Sequence, residues 1–282
     1  MNVRTPRVAV MQDLSCIGRC SLGVAMAVLP AMGVEAAVLP TALLSAHTAF
    51  EGFTFADLSP ELERIIAHWK QMDLRFDAIY IGYLGSQRLI ELAARVIDLF
   101  GAPGVRVILD PAFGDHGRLY TGFDGAYVRA MRGLCARAEI ILPNLTEACY
   151  LLDLPFDAGE TAPEALAEGA RALLGERLRD VLITSCPFTD GRTGLICVGE
   201  HAFAYPHSQL SMPCHGSGDL FASVFTALLV RCGSVERAAR AAADFTRDCI
   251  EYSMNCGDHR WYGVDFEPML GRLMRRIGEE NA

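Results

Sequence analysis

The chain has 282 residues, 51% hydrophobic and 21% charged, and a formal net charge of −9 from 25 basic and 34 acidic side chains. That is an ordinary globular composition with ample material for a core. No basic run is present, which argues against a nucleic-acid partner, and the longest apolar stretches, Leu22 to Met32 and Leu220 to Val230, are too short to span a bilayer.

The N-terminal segment shows no signal-peptide pattern, so a cytoplasmic protein is expected. Ten cysteines are scattered without a Cys-x-x-Cys pair, as buried thiols in a reducing compartment would be.

In chain order, Arg7 to Met11 reads as a buried strand and Gln12 to Cys20 as a loop, with Ser21 capping a helix to about Met32. Val34 to Leu39 reads as a second strand ended by Pro40, and residues 44–52 as a loop over a site. Ser59-Pro60-Glu61 opens a helix to about Met72. Ala78 to Ile81 is a short strand ending at Gly82-Tyr83, and Ser86 starts a helix to Phe100. Val105 to Leu109 and Glu139 to Leu142 are strands ending at Asp110-Pro111 and Pro143-Asn144. Leu145 to Leu152 and Pro163 to Leu178 are helical, and Val181 to Thr184 is a strand. Thr193 to Val198 and His201 to Tyr205 pair as a hairpin, and helices follow at 219–232, 234–254 and near 266–276.

Continuous apolar strands alternating with amphipathic helices predict an α/β fold, a mostly parallel sheet with helices on both faces. No linker, repeat or low-complexity tract divides the chain, so one domain over 1–282 is expected. Asp13, Tyr83, Asp110, Asn144, Thr184 and Ser185 fall near the ends of predicted strands. Ligands bind outside the carboxyl ends of strands in open α/β sheets, so one shared site is expected there.

The segment Cys214-His215-Gly216-Ser217-Gly218-Asp219 is followed by a helix-length apolar run. Glycines let backbone approach a ligand, and a helix start offers amides and positive dipole to phosphate. Asp219 would take a proton from an alcohol there, or would merely cap the helix. Asp110 and Asp115 flank a turn and would organise Mg²⁺ through water, or simply shape the turn. Asn144 and Glu147 have the spacing of a capping box as well as of a metal site. Residues 115–123 are polar and glycine-bearing, as a lid would be. His215 is open to a structural or a basic role, and Cys214 to a reactive or a buried one. No Walker loop, dinucleotide-binding glycine pattern or nucleophile elbow is present. The glycine turn, the acid and the metal-type carboxylates jointly support phosphoryl transfer.

With Ser45-Ala46-His47-Thr48, Gly82-Tyr83-Leu84-Gly85-Ser86, Asp110-Pro111-Ala112-Phe113-Gly114-Asp115, Pro143-Asn144-Leu145-Thr146-Glu147-Ala148 and Gly216-Ser217-Gly218-Asp219 together, the chain resembles the ribokinase-like superfamily. Within it the chain resembles the pyridoxal kinases. The resemblance implies a three-layer fold, usually as a homodimer, that phosphorylates the 5′-hydroxymethyl group of pyridoxal, pyridoxamine or pyridoxine with ATP. It implies Asp219 as base, with the amides of Gly216, Ser217, Gly218 and Asp219 as anion hole. Asp110 and Glu147 would organise Mg²⁺, and a monovalent cation such as K⁺ is a further expectation. Asp110, Asp115, Asn144, Glu147, Thr184 and Ser185 would form the ATP site. Asp13, Ser45, His47, Thr48, Tyr83 and Cys214 would face the substrate.

The B6 branch commonly has Ser-His where this chain has Asp13-Leu14, and its Asp-Pro-Val-Met-Gly reads Asp-Pro-Ala-Phe-Gly here. Asp13 would then pair with a ring nitrogen or ring hydroxyl. Two alternatives compete. A hydroxymethylpyrimidine kinase of thiamine synthesis would resemble Gly-Thr-Gly-Cys at the glycine loop, and a non-catalytic vitamer- or nucleotide-binding protein would need neither Asp219 nor the other acids.

Overall fold

The computed structural model describes residues 4–156, 163–210, 212 and 215–280. Two compact units are present, Met1–Ala78 with Leu210–Ala282, and Ile79–Gln209.

The first unit opens with strand β1 (Arg7–Ser15), then helix α1 (Ser21–Ala31), strands β2 (Glu35–Leu44) and β3 (Phe55–Asp57) and helix α2 (Ser59–Gln71). β1 and β2 pair in parallel, and β3 adds antiparallel to β2. Val8, Ala9, Val10 and Met11 are fully buried, which accounts for the unbroken apolar run. Pro40 does not end β2. It lies opposite Gln12, and the register shifts between Gln12 and Leu14, so β2 runs on to Leu44 past the missing N–H. β1 likewise runs past Met11, which puts Asp13 and Ser15 in its last turn of pleat rather than in a loop. Ser21 and Ser59 are first helical residues rather than caps; the caps fall on Cys20 and Leu58.

Near the end of the chain this unit adds helices α7 (Ser217–Cys232) and α8 (Val235–Asn255), a 3₁₀ turn (Glu267–Met269) and helix α9 (Leu270–Glu280). Every residue of α7 from Leu220 to Leu229 is buried, and a helix apolar all round must be packed on all sides. α1 and α8 pack against it, and α8 buries the small residues Ala238, Ala239, Ala242 and Ala243.

The second unit holds β4 (Ala78–Ile81), α3 (Gln87–Phe100), β5 (Arg106–Leu109), the hairpin β6 (Gly114–Asp115) and β7 (Arg118–Leu119), α4 (Gly125–Cys135), β8 (Ile140–Ile141), α5 (Leu145–Leu152), α6 (Pro163–Leu173), β9 (Asp180–Pro187), β10 (Thr193–Gly199) and β11 (Phe203–His207). Its strands lie in the order β4-β5-β8-β9-β10-β11. β5, β8 and β9 pair in parallel, while β10 and β11 close the edge antiparallel. The observed sheet is thus mostly parallel around its centre, as expected. Helix α4 was not anticipated, although Asp124 caps it by accepting from the Ala126 and Tyr127 amides. Among the described residues no helix is long and apolar enough to cross a membrane.

Candidate active site

In the first unit the end of β1 and the starts of α1 and α7 bring a set of polar groups together. Ser15 Oγ donates to Asp13 Oδ2 at 3.2 Å. The Ser21 hydroxyl also lies against the Asp13 carboxyl, and the Ser21 backbone amide lies against the Asp219 carboxylate. Asp219 is partly buried. Lost hydration pushes its pKa up to about 7, the Ser21 amide opposes that rise, and the nearby Asp13 charge adds to it. Burial also raises Asp13, against its hydroxyl partners. At neutral pH the two acids therefore carry less than two full negative charges, and one of them is poised to accept a proton. Burial, followed by the charges of Asp219 and Asp13, pushes the Cys20 thiol far up, so it stays protonated and inert beside them.

Gly216 sets the start of α7. Its φ is 75°, and a Cβ there would lie 1.7 Å from the Arg19 carbonyl oxygen, so only glycine fits. The first helical bond runs from Leu220 N to Gly216 O, and no side chain caps this end. The amides of the first turn therefore point out of the helix together with the positive end of its dipole. The turn is tied down from two sides. Val264 N donates to His215 O at 3.3 Å. Arg19 reaches Asp265 at 2.5 Å and Glu267 at 2.8 Å, and Asp265 also takes His259 Nδ1 at 2.6 Å.

Beside the turn, His47 is buried and its Nδ1 accepts from the Ala49 amide at 3.2 Å. Desolvation, then the neighbouring His215, lowers its pKa, so the ring is neutral at pH 7. Its centroid lies 5.0 Å from Phe50, 5.1 Å from His215 and 5.7 Å from Trp261. Ser45 Oγ accepts from the Thr54 amide at 2.8 Å and so braces its own loop, while Thr48 is exposed. Cys214 lies outside the described residues.

In the second unit, Asp110 is buried at the end of β5, its amide bonded to Ile81 O at 2.8 Å. The capping box predicted at α5 is present. Glu147 N donates to Asn144 Oδ1, and Asn144 N donates to Glu147 Oε2, both at 2.9 Å. Glu147 Oε1 also takes the Phe113 and Gly114 amides at 2.9 and 3.3 Å, and Asn144 Nδ2 donates to Gly114 O at 2.8 Å. This carboxylate thus fastens the turn after Asp110 to the start of α5. Burial pushes its pKa up to about 7 against those three amides, and the Asp115 charge adds to the rise.

Thr184 N donates to Pro143 O at 2.9 Å, and Thr184 bridges Asn144 in parallel. Ser185 is exposed with φ 59°. Asp115 is exposed and accepts from the His116 amide at 2.8 Å. Residues 114–119 form the β6–β7 hairpin rather than an open loop, held where Gly117 N donates to Thr146 Oγ1 at 2.9 Å. Tyr83 is partly buried, 5.9 Å from Phe123, which stacks on Tyr127 at 3.8 Å.

Among the described residues no group of three or more His, Cys, Asp or Glu side chains is arranged to hold a metal ion. Two buried acids fit Mg²⁺ all the same, because it keeps most of its waters and takes one or two carboxylates plus substrate phosphates.

The structure thus gathers Asp13, Gly216, Ser217, Gly218 and Asp219 in one unit, and Asp110, Asn144, Glu147 and Thr184 in the other. Sequence reasoning missed Ser15, Ser21, Arg19, Phe50, Trp261 and Tyr262. For the aromatic pair the signal was present: Trp261-Tyr262 sits among Gly257, Asp258, Gly263 and other polar residues, where no core is expected.

Residues 26–263 match the model of the phosphomethylpyrimidine kinase family. A pyridoxine/pyridoxal/pyridoxamine kinase of Bordetella avium is 30% identical over 84% of this chain and 82% of its own length. A Bacteroides thetaiotaomicron protein crystallised with pyridoxal is 38% identical, with a TM-score of 0.87 over 96% of both chains. The pyridoxal kinase of Lactobacillus plantarum is 32% identical, with a TM-score of 0.88 over 98% of this chain and 99% of that one.

Proposed function

The chain belongs to the phosphomethylpyrimidine kinase family and is a kinase, and from that premise we propose that it transfers the γ-phosphoryl group of ATP to the 5′-hydroxymethyl group of pyridoxal, pyridoxine or pyridoxamine. The observation that carries this reading is Asp219, in the first turn of α7 just past the Gly216 turn and beside the Ser21 amide, with its pKa pushed up to about 7.

A base with that pKa accepts the proton of an alcohol at working pH without being quenched by it. As the hydroxymethyl oxygen forms its bond to the γ-phosphorus, its proton passes to Asp219 and the bond to the β–γ bridging oxygen breaks, releasing ADP. The amides of Gly216, Ser217, Gly218 and Asp219 stabilise the charge on the equatorial oxygens. Asp110 would hold Mg²⁺ directly and Glu147 through water, since the latter already accepts three amides; the ion would neutralise the phosphates. Asn144, Thr184, Ser185 and Asp115 complete the nucleotide side, with residues 115–123 as lid. Asp13 meets the acceptor's ring nitrogen or hydroxyl, and Ser45, His47, Thr48, Tyr83 and Cys214 surround the ring. The protein works as a cytoplasmic homodimer with one kinase domain, and K⁺ supports turnover.

A second acceptor, hydroxymethylpyrimidine, is favoured by the family model's description as a phosphomethylpyrimidine kinase together with a hydroxymethylpyrimidine/phosphomethylpyrimidine kinase of Bacillus subtilis, 29% identical over 66% of this chain. One assay decides: Mg·ATP-dependent phosphorylation of the three B6 vitamers and of hydroxymethylpyrimidine, with and without K⁺, wild type beside Asp219→Ala. Preferential turnover of a B6 vitamer, lost in the variant, is expected. Turnover of hydroxymethylpyrimidine alone would move the protein to the second reading, and retained turnover in the variant would remove Asp219 as base.

A further inference from the structure

Trp261 poses a physical question. An indole is among the most costly side chains to leave in water, yet Trp261 is 54% exposed. Its backbone is nevertheless well held. Val264 N bonds to His215 O, Gly263 N bonds to Arg260 O at 3.3 Å, and Arg260 donates to the Tyr262 hydroxyl at 2.9 Å. His259 and Arg19 both engage the buried Asp265 just beyond. Gly263 lets the segment lie on Arg19 itself; a Cβ there would come 2.4 Å from the Arg19 Cβ. The ring is thus an exposed group on a fixed support, not a loose surface residue.

Four more rings surround it, three from two other segments and Tyr262 from its own. Trp261 lies 4.6 Å from Phe50, 5.7 Å from His47, 6.2 Å from His215 and 6.0 Å from Tyr262, and Phe50 lies 5.5 Å from Tyr262. Their planes are tilted or edge-on to one another, with angles from 42° to 83°. Such a cluster leaves ring faces unmatched by ring faces. His215 precedes the Gly216 turn directly, so this wall begins one residue from the amides and four from Asp219.

We infer that His47, Phe50, His215, Trp261 and Tyr262 form an aromatic clamp for the ring of the acceptor alcohol, with Trp261 as its solvent-side face, and that this clamp selects flat heteroaromatic acceptors over sugars. The inference rests on the kinase reading above and adds the group that recognises the ring. A planar heteroaromatic ring offers two π-faces to such a wall and gains from offset or edge-to-face stacking. A puckered sugar offers hydroxyls that the wall has few groups to satisfy, and burying them unpaired is unfavourable.

The test uses the two tryptophans. Trp69 packs on Phe76 in α2, away from this cluster, so Trp69→Phe leaves Trp261 as the single indole. Pyridoxine, which absorbs in the indole emission band, is titrated into this variant without nucleotide, and ribose serves as control. Saturable quenching by pyridoxine and none by ribose is expected. In the assay, Trp261→Leu should raise the KM for pyridoxine about tenfold, with kcat and the KM for ATP changed less than about twofold. Trp261→Phe should recover most of the loss.

The clamp is overturned if quenching does not saturate, or if a natively folded Trp261→Leu protein keeps its KM for pyridoxine or raises the KM for ATP equally. Normal wild-type turnover with those results would leave the kinase reading standing. Saturable quenching with no turnover of any vitamer would do the reverse, keeping the clamp and removing the proposed reaction.

Discussion

At the scale of single residues, Asp219 ties chemistry to stability through one number. Its pKa, pushed up to about 7, means that near neutral pH the folded protein holds a proton that the unfolded chain would release near the ordinary aspartate value of 3.8. Turnover needs the carboxylate, so kcat/KM for the acceptor alcohol should fall tenfold per pH unit as pH drops below about 7. For an acid raised in the folded state, the unfavourable contribution is fully present above the folded pKa. It shrinks as pH falls through about 7 and is gone below the unfolded value. Asp219→Asn should therefore abolish catalysis by about 10³-fold. It should also stabilise the fold at pH 8 by about 1–2 kcal/mol, the shift being discounted for the solvent that still reaches the group. The gain should vanish near pH 4. Thermal melts of both proteins across pH measure it, and a constant difference in Tm would mean that the carboxylate is not the strained group. The role of Asp219 was legible because glycines and an acid before an apolar helix have few physical uses. Its raised pKa was not, because the burial that mainly causes it comes from tertiary packing, and the Asp13 charge that adds to it lies some two hundred residues away in sequence.

At the scale of elements, the capping box at α5 was legible as a spacing, and its second use was not. Glu147 sits three residues past Asn144, which predicts the local exchange of hydrogen bonds that is observed. The same carboxylate also takes the Phe113 and Gly114 amides from a turn more than thirty residues earlier, and nothing in a local pattern announces that. Glu147→Ala would leave three amides short of their partner, two of them in buried contacts. Each buried group left unpaired costs about 1–3 kcal/mol, so a loss of about 3 kcal/mol in urea unfolding is expected. Glu147→Gln, which keeps an acceptor oxygen, should lose about half as much. If both variants unfold like the wild type, the carboxylate is not the fastener between the two segments. Elsewhere the strand boundaries slipped for a nameable reason. Pro40 reads as a stop, yet the register shift opposite it lets β2 continue, and bulges depend on the partner strand rather than on the strand's own residues.

At the scale of the whole molecule, the α/β class was legible because apolar strands alternate with amphipathic helices almost throughout. The division into Met1–Ala78 with Leu210–Ala282 and Ile79–Gln209 was not, since no change of composition marks residues 78 or 210. That division sorts the proposed roles. The base, the glycine turn and the aromatic rings belong to the first unit, and the groups assigned to the nucleotide belong to the second. Tyr83 is the exception, a second-unit residue assigned to the acceptor ring. Hydrogen exchange should therefore show two footprints. Mg·ADP alone should slow exchange in peptides covering 110–119, 143–148 and 184–186, while pyridoxine alone should slow exchange in those covering 13–21, 45–50, 215–221 and 259–264. Protection of the 82–86 peptide by pyridoxine would support Tyr83 as an acceptor contact, and its protection by Mg·ADP only would return that residue to the nucleotide side. If pyridoxine instead protected the second unit throughout, the assignment of the acceptor to the Asp219 side would be wrong, whatever the assay showed about turnover.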